Sequence, residues 1–201
     1  MSNYVIEAEN KYRIAGIVDK KEFIGEKVMG YPLIASDDDL PMLCKEYAYF
    51  HITVGQIKSG IVRQSLFNLV KEMGGSFPVI ISPNAYTSKH ANIGDGTIIM
   101  HHAFINAMCK VGENCIVNTS AVVEHDVVIG NHCHISTGAF INGGAEIHEG
   151  SFIGSNATVV QSVKVADHSV LAAGSVLLKD TEPFSLYAGS PATLRKNYNG
   201  K

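Results

Sequence analysis

The sequence predicts a mainly β chain: a parallel β-helix of hexapeptide repeats, preceded by a small α/β unit. Three observations carry this expectation. From Ile93 onward an aliphatic residue recurs at every sixth position, through Ile99, Ile105, Val111, Val117, Val123, Ile129, Ile135, Ile141, Ile147, Ile153, Val159, Val165 and Leu171 to Leu177. Four residues after each comes a small side chain or Val, from Thr97, Ala103, Cys109 and Cys115 through to Ser175. Before residue 81 this pattern is absent, and short apolar runs alternate with helical ones.

Taken in order, Tyr12 to Val18 predicts a strand, Asp37 to Lys45 a short helix with an Asp-rich start, and His51 to Val54 a second strand. Ser59 to Met73 has apolar residues at Ile61, Leu66, Leu69 and Val70, the spacing of one helix face, and Gly74-Gly75 ends it before a buried strand at Pro78 to Ile81. Strand and helix in alternation imply a parallel α/β unit. Beyond it, a period of six fits neither a helix nor an open amphipathic strand. It fits a prism with one short strand per side and three sides per coil, the aliphatic pointing inward and the small residue at the tight corner. Gly94, Gly112, Gly130 and Gly154, with Asn106, Asn118 and Asn142, follow the aliphatic directly, where unusual backbone angles are expected. Ile81/Ala85 and Thr87/Ala91 extend the frame backwards, and no insertion interrupts it from Ile93 to about Lys179.

Composition narrows the function classes. With 16 basic against 19 acidic residues and no basic cluster, the chain lacks the electrostatic footprint for nucleic acid or an anionic membrane surface. No apolar run is long enough to span a bilayer, and the N-terminus carries no signal-peptide pattern. Cys44, Cys109, Cys115 and Cys133 form no C-x-x-C pair and read as reduced thiols, so a cytoplasmic location is expected.

Of nine histidines, five (His101, His102, His125, His132 and His134) cluster within two predicted coils. His125 stands out because it lies two places after Val123 in an outward phase, flanked by Glu124 and Asp126, with Gly143 one coil further along the same edge. A missing side chain beside an exposed imidazole leaves room for a thioester. Imidazole titrates in the right range to take a proton from an attacking amine or hydroxyl. Asp126 can fix its tautomer, and His134 or a backbone N–H can face the developing oxyanion. The inward phase of Cys109, Cys115 and Cys133 argues against a thiol nucleophile.

The repeat resembles the left-handed β-helix of the hexapeptide acyltransferases, and Tyr187-Ala188-Gly189-Ser190-Pro191-Ala192 resembles that family's closing segment near the CoA site. The stretch Asn118-Thr119-Ser120-Ala121-Val122-Val123-Glu124-His125-Asp126 is similar to the group containing sialic-acid O-acetyltransferases and UDP-4-amino-sugar N-acetyltransferases. The resemblance implies homotrimers with acetyl-CoA and a nucleotide sugar meeting between subunits. It implies His125 as general base supported by Asp126, Asn118 as an acceptor-sugar contact, and His134, Gly143, Ser155 and Ala173 as contacts of acetyl-CoA. It further implies that Asp19, ending the Ile17-Val18-Asp19 strand, and Gln56, in the Val54-Gly55-Gln56 loop, border the nucleotide. Members of the family open with a strand and a glycine-rich loop; the chain starts inside the helix that follows, so the α/β unit is expected to be a truncated Rossmann-like domain. The expected divisions are 1–78 for nucleotide-sugar binding, 79–182 for the β-helix and 183–201 for the tail.

The leading expectation is therefore acetyl-CoA-dependent N-acetylation of a nucleotide-linked amino sugar in bacterial glycan biosynthesis. The alternatives are sugar O-acetylation of the sialic-acid type and a non-catalytic trimeric scaffold. A zinc hydrolase of the same fold calls for a His-x4-His pair, which the sequence lacks, so no metal is expected.

Overall fold

A computed structural model describes residues 2–56 and 59–198, so Met1 and the last three positions of the expected tail lie outside the description. The predicted prism is present as a left-handed parallel β-helix of two-residue strands. Each strand pairs in parallel with the one 18 residues on, as in Val117↔Ile135 and Val123↔Ile141. Three stacks result. The first face runs Ile80–Ile81, Ile98–Ile99, Ile116–Val117, His134–Ile135, Phe152–Ile153 and Val170–Leu171; the second runs from Tyr86–Thr87 to Val176–Leu177, and the third from Asn92–Ile93 to Lys164–Val165.

The inward aliphatics and the small residues after them form one core, with Ile105, Val117, Val123, Ile135, Ile141 and Ile153 wholly buried. Along the corner between third and first faces the small residues are hydroxyls and thiols. Each donates to a carbonyl of the next coil: Thr97 to Gly112 at 2.7 Å, Cys115 to Gly130 at 3.1 Å, Cys133 to His148 at 3.0 Å, Ser151 to Ala166 at 2.9 Å and Ser169 to Glu182 at 2.7 Å. These five turn carbonyls thereby find partners within the prism.

The corner glycines act differently from the expectation. The residues held at positive φ lie three places after the aliphatic, from Gly96, His102 and Met108 through Asp126 and His132 to Gly174. Gly94, Gly112 and Gly130, one place after it, are required for close stacking. A Cβ on Gly112 would stand 2.7 Å from the carbonyl carbon of Gly130, and one on Gly94 2.6 Å from that of Gly112.

The N-terminal unit is thinner than predicted. Helix α1 (Ser2–Glu9) packs Val5 and Ile6 on Ile80, Ile98 and Met100 of the first face. The strand expected over Tyr12–Val18 shrinks to β1 (Ile17–Val18), because only there does it find a partner, in β3 (Tyr31–Ala35). The sequence reading missed β3 and its antiparallel mate β2 (Lys27–Val28), joined through Met29 and Gly30, both at positive φ as a two-residue hairpin turn requires. The Asp-rich start becomes a capping box, Ser36 with Asp39, ahead of α2 (Leu40–Glu46). Helix α3 (Ile61–Glu72) ends as expected at Gly74, with φ +86. Phe67 of α3 stacks on Phe77 with ring centroids 4.3 Å apart and meets His132 of the prism edge-on.

His51–Val54 forms no strand. Its neighbourhood has only the isolated bridge Tyr49↔Ser76, and the carbonyls of Ile52 and Val54 are taken by the buried Arg63 guanidinium. The strand expected over Pro78–Ile81 is confined to Ile80–Ile81 and opens the first face of the prism. At the other end, Ser185–Gly189 extends that face beside Val170–Leu171 and turns back antiparallel through Ala192–Asn197.

Gly112→Ala should lower stability by about 1–3 kcal/mol, read from urea or thermal unfolding, since backbone must move to admit the methyl group. Gly55→Ala, with nothing within 4 Å of the new Cβ, should stay within about 0.5 kcal/mol of the parent.

Candidate active site

Two edges of the prism gather the residues singled out by sequence. On the edge between second and third faces, the His125 and Asp126 side chains are more than half exposed, and His125 Nδ1 lies 2.8 Å from Asp126 Oδ2. Asp126 occupies the positive-φ corner at φ 61, and that turn swings its short side chain back onto the preceding ring. A carboxylate can only accept, so Nδ1 carries the hydrogen, and in the neutral ring Nε2 keeps its lone pair.

The expected open space over Gly143 is filled by the imidazole itself: a Cβ there would be 2.7 Å from His125 Nε2. Gly143 is thus the seat on which the ring lies. The coil beneath is pinned by Gly144 N–H to the His125 carbonyl at 2.9 Å. Among the described residues the Gly143 N–H finds no acceptor. On the coil before, Asn106 Nδ2 donates to the Glu124 carboxylate at 2.8 Å.

Asn118, Ser155 and Ala173 share the edge between first and second faces, with His134 on the adjoining strand and Ser155 hydrogen-bonded to Ser136 at 2.9 Å. His134 is buried. Its Nδ1 lies 2.8 Å from the Gln56 carbonyl and its Nε2 3.2 Å from Asn118 Nδ2. Burial is the main reason its pKa is lowered; the contact with the Gln56 carbonyl opposes that shift, and the Arg63 charge adds to it. Gln56 points inward as well: the residue is 3% exposed, and its side chain donates to the Gly150 carbonyl at 2.9 Å. Asp19 stands apart and exposed at the end of β1, its carboxylate accepting from Lys20 N–H at 2.7 Å. One copy of the chain therefore brings His125, Asp126 and Gly143 together, and separately Asn118, His134, Ser155, Ala173 and the Gln56 loop.

The other histidines sort by structural role. His102, His132 and His168 serve positive-φ corners, and His101 Nδ1 pairs with Ser82 Oγ at 2.6 Å. Three or more metal-ligating side chains do not converge among the described residues, and no helix there is long and apolar enough to cross a membrane. A cavity of about 440 Å³ lies within the N-terminal unit, between Ile14–Val18 and Tyr49–Val54, away from His125.

A likeness to known proteins follows the geometry. The family described as Bacterial transferase hexapeptide (six repeats) matches residues 108–143 and 144–179. A mutant GDP-perosamine N-acetyltransferase from Caulobacter crescentus, solved with CoA and GDP-perosamine, is similar at TM-score 0.89 and 28% identity over 98% of this chain and 92% of that one. The acetyltransferase domain of PglB from Neisseria gonorrhoeae is similar at TM-score 0.85 and 30% identity, covering 96% of this chain and 92% of that one. The same domain in complex with acetyl coenzyme A gives TM-score 0.84 and 30% identity, over 96% and 91%. Comparison with curated protein sequences returns no match.

Buried imidazoles set an acid limit on the fold. Desolvation and the Arg63 charge push His51 down to about 3, and neither of its ring nitrogens has a partner among the described residues; His132 and His134 are lowered in the same direction, burial first. The unfolded chain protonates these rings near pH 6.5 while the folded His51 stays neutral. Stability present above that pH is thus lost progressively as pH falls towards about 3, at up to about 1.4 kcal/mol per pH unit for such a group. Melting temperature should fall between pH 7 and pH 5, and His51→Leu should flatten the slope; an unchanged slope would remove His51 as its source.

Proposed function

The chain belongs to the hexapeptide-repeat acyltransferases, and from that membership we propose that it acetylates the amine of a nucleotide-linked amino sugar, of the UDP-4-amino-sugar type, using acetyl-CoA in bacterial glycan biosynthesis. The observation that carries the reading is the exposed His125, held by Asp126 as the Nδ1–H tautomer with a free Nε2 lone pair. The Caulobacter protein bound to CoA and GDP-perosamine, and the Neisseria domain bound to acetyl coenzyme A, support the acceptor and donor classes.

In the reaction the amine nitrogen attacks the thioester carbonyl while His125 Nε2 takes its proton. The N–C bond forms, the C–S bond breaks, and the proton held by His125 goes to the departing sulfur, giving amide and free CoA thiol. The unengaged Gly143 N–H is a donor for the carbonyl oxygen as charge grows on it. Ser155 and Ala173 border the path of CoA, and Asn118 faces the acceptor sugar. Residues 1–78, with Asp19 and the loop at Gln56, hold the nucleotide; 79–182 carry the transfer site, and the tail from 183 closes its CoA end. Three buried unpaired thiols and the use of acetyl-CoA fit a cytoplasmic location.

A single copy does not unite its two edges, and the outward residues say how a homotrimer would. The first face is covered by the N-terminal unit. The third carries Lys110, Glu146 and Lys164, with a Lys164–Glu146 ion pair at 3.0 Å. The second presents Tyr86, Phe104, Val122, Phe140, Thr158 and Val176, with Tyr86 56% and Phe140 46% exposed. An apolar stripe of this kind is what an oligomer buries. Since the second face lies between the two edges, turning it to a threefold axis sets the His125 edge of each copy against the Asn118 edge of its neighbour.

Thiol release from acetyl-CoA should require one member of a panel of UDP- and GDP-linked amino sugars. His125→Ala should cut kcat by about 100-fold or more with an unchanged circular dichroism spectrum; near-parental kcat would sink the assignment. Phe140→Glu should give monomers by light scattering together with lost turnover.

A further inference from the structure

The hydrogen bonds around His134 run in one direction. The Gln56 carbonyl has no hydrogen to give, so the 2.8 Å contact requires the proton on His134 Nδ1. Nε2 is then an acceptor, and Asn118 Nδ2 at 3.2 Å is its donor. This fixes which end of the Asn118 amide is which, and independently Asn118 Oδ1 accepts from Thr119 N–H at 2.7 Å. The amide therefore has its oxygen and one of its two N–H groups engaged, leaving one N–H over. The ring itself has no hydrogen to offer a carbonyl oxygen.

What holds the Gln56 carbonyl is unusual. Arg63 is 2% exposed and makes no ion pair among the described residues; it donates to the carbonyls of Ile52 and Val54 and, through Nε, to that of Asn114 on the prism at 3.3 Å. Two residues on, the Gln56 side chain fastens the loop to the Gly150 carbonyl. A Cβ on Gly60 would stand 2.8 Å from the Gln56 carboxamide, so the strut sits against bare backbone. A buried guanidinium and a buried carboxamide thus direct donors at main-chain acceptors that place one carbonyl against one ring nitrogen, while Arg63 Nη2 finds no partner among the described residues.

We propose that Arg63 and Gln56 are positioning residues of the transfer site: they hold the Gln56 carbonyl so that His134 is locked as the Nδ1–H tautomer and Asn118 offers a single oriented N–H to the acetyl or sugar oxygen. This rests on the acetyl-transfer reading for its chemistry, but not for the lock. In this arrangement the donor to substrate is the Asn118 amide, and His134 acts through it. Neutrality of the ring, favoured by its burial, keeps Nε2 an acceptor at working pH.

The test is ¹⁵N spectroscopy of histidine-labelled full-length protein with Gln56→Glu and Gln56→Asn beside the parent. The parent should show His134 with a protonated Nδ1 and a bare Nε2. Gln56→Glu, which sets a carboxylate against the Gly150 carbonyl, should mix the tautomers and lower kcat by about 10- to 100-fold with KM for acetyl-CoA little changed. Gln56→Asn, retaining the donor on a shorter arm, should recover part of both signals. A parent His134 protonated at Nε2, or a Gln56→Glu protein with unaltered tautomer and kcat, would overturn the proposal. Absence of turnover in the parent would instead count against the acetyl-transfer reading, while the nitrogen signals would still decide the lock.

Discussion

From Ile93 to Leu171 the prism turns a corner every six residues, and each of these corners holds one residue in the left-handed backbone region with a small side chain or Val immediately behind it. Everything else in the molecule is hung on that requirement. Glycine meets it at five corners from Gly96 to Gly174, and Asn, Asp, Ser, His and Met meet it at the others. Because a left-handed corner tolerates short polar side chains and imidazoles better than branched ones, the fold itself draws histidine and aspartate to its edges. Three of the nine histidines, His102, His132 and His168, stand there. Asp126 stands there as well, and the turn that suits its backbone also delivers its carboxylate to His125.

The three faces divide the remaining work. Charged outward residues keep the third in water. The first is buried by α1, α3 and the loop through Gln56, whose anchor points are backbone carbonyls of the prism more than its side chains. The second has neither charge nor cover. This asymmetry cannot come from the inward frame, which is uniform all round; it is written wholly in the first residue of each two-residue strand. Alternating side-chain direction lets one dipeptide carry both the core and the surface identity of its face.

What was legible in the sequence follows the range of each interaction. The frame was legible because inward aliphatics repeat without interruption, and the pairing of His125 with Gly143 followed from a fixed step of 18 residues. His125 and Asp126 are chain neighbours, so their contact needed no tertiary information. By contrast, the Gln56 carbonyl meets His134 across 78 positions, through a docking set by a buried Arg that resembles any surface arginine in sequence. The hairpin at Met29-Gly30 was missed because Met is a poor marker for positive φ. His51 to Val54 looked like a strand because its composition is that of one; its carbonyls were claimed by Arg63. The corner glycines were found by position but given the wrong cause, since only coordinates separate an unusual φ from a close backbone approach.

The uninterrupted frame has a consequence for how such a chain can vary in length. Loss or gain of a single residue inside it would turn every later aliphatic outward and move every later edge residue to a different face. Loss or gain of a whole coil keeps the phase, moving the hairpin at Ser185–Gly189 by one strand spacing, about 4.8 Å, along the axis. Growth is therefore quantised, and the rungs between His125 and the tail act as a ruler whose smallest division is one complete turn.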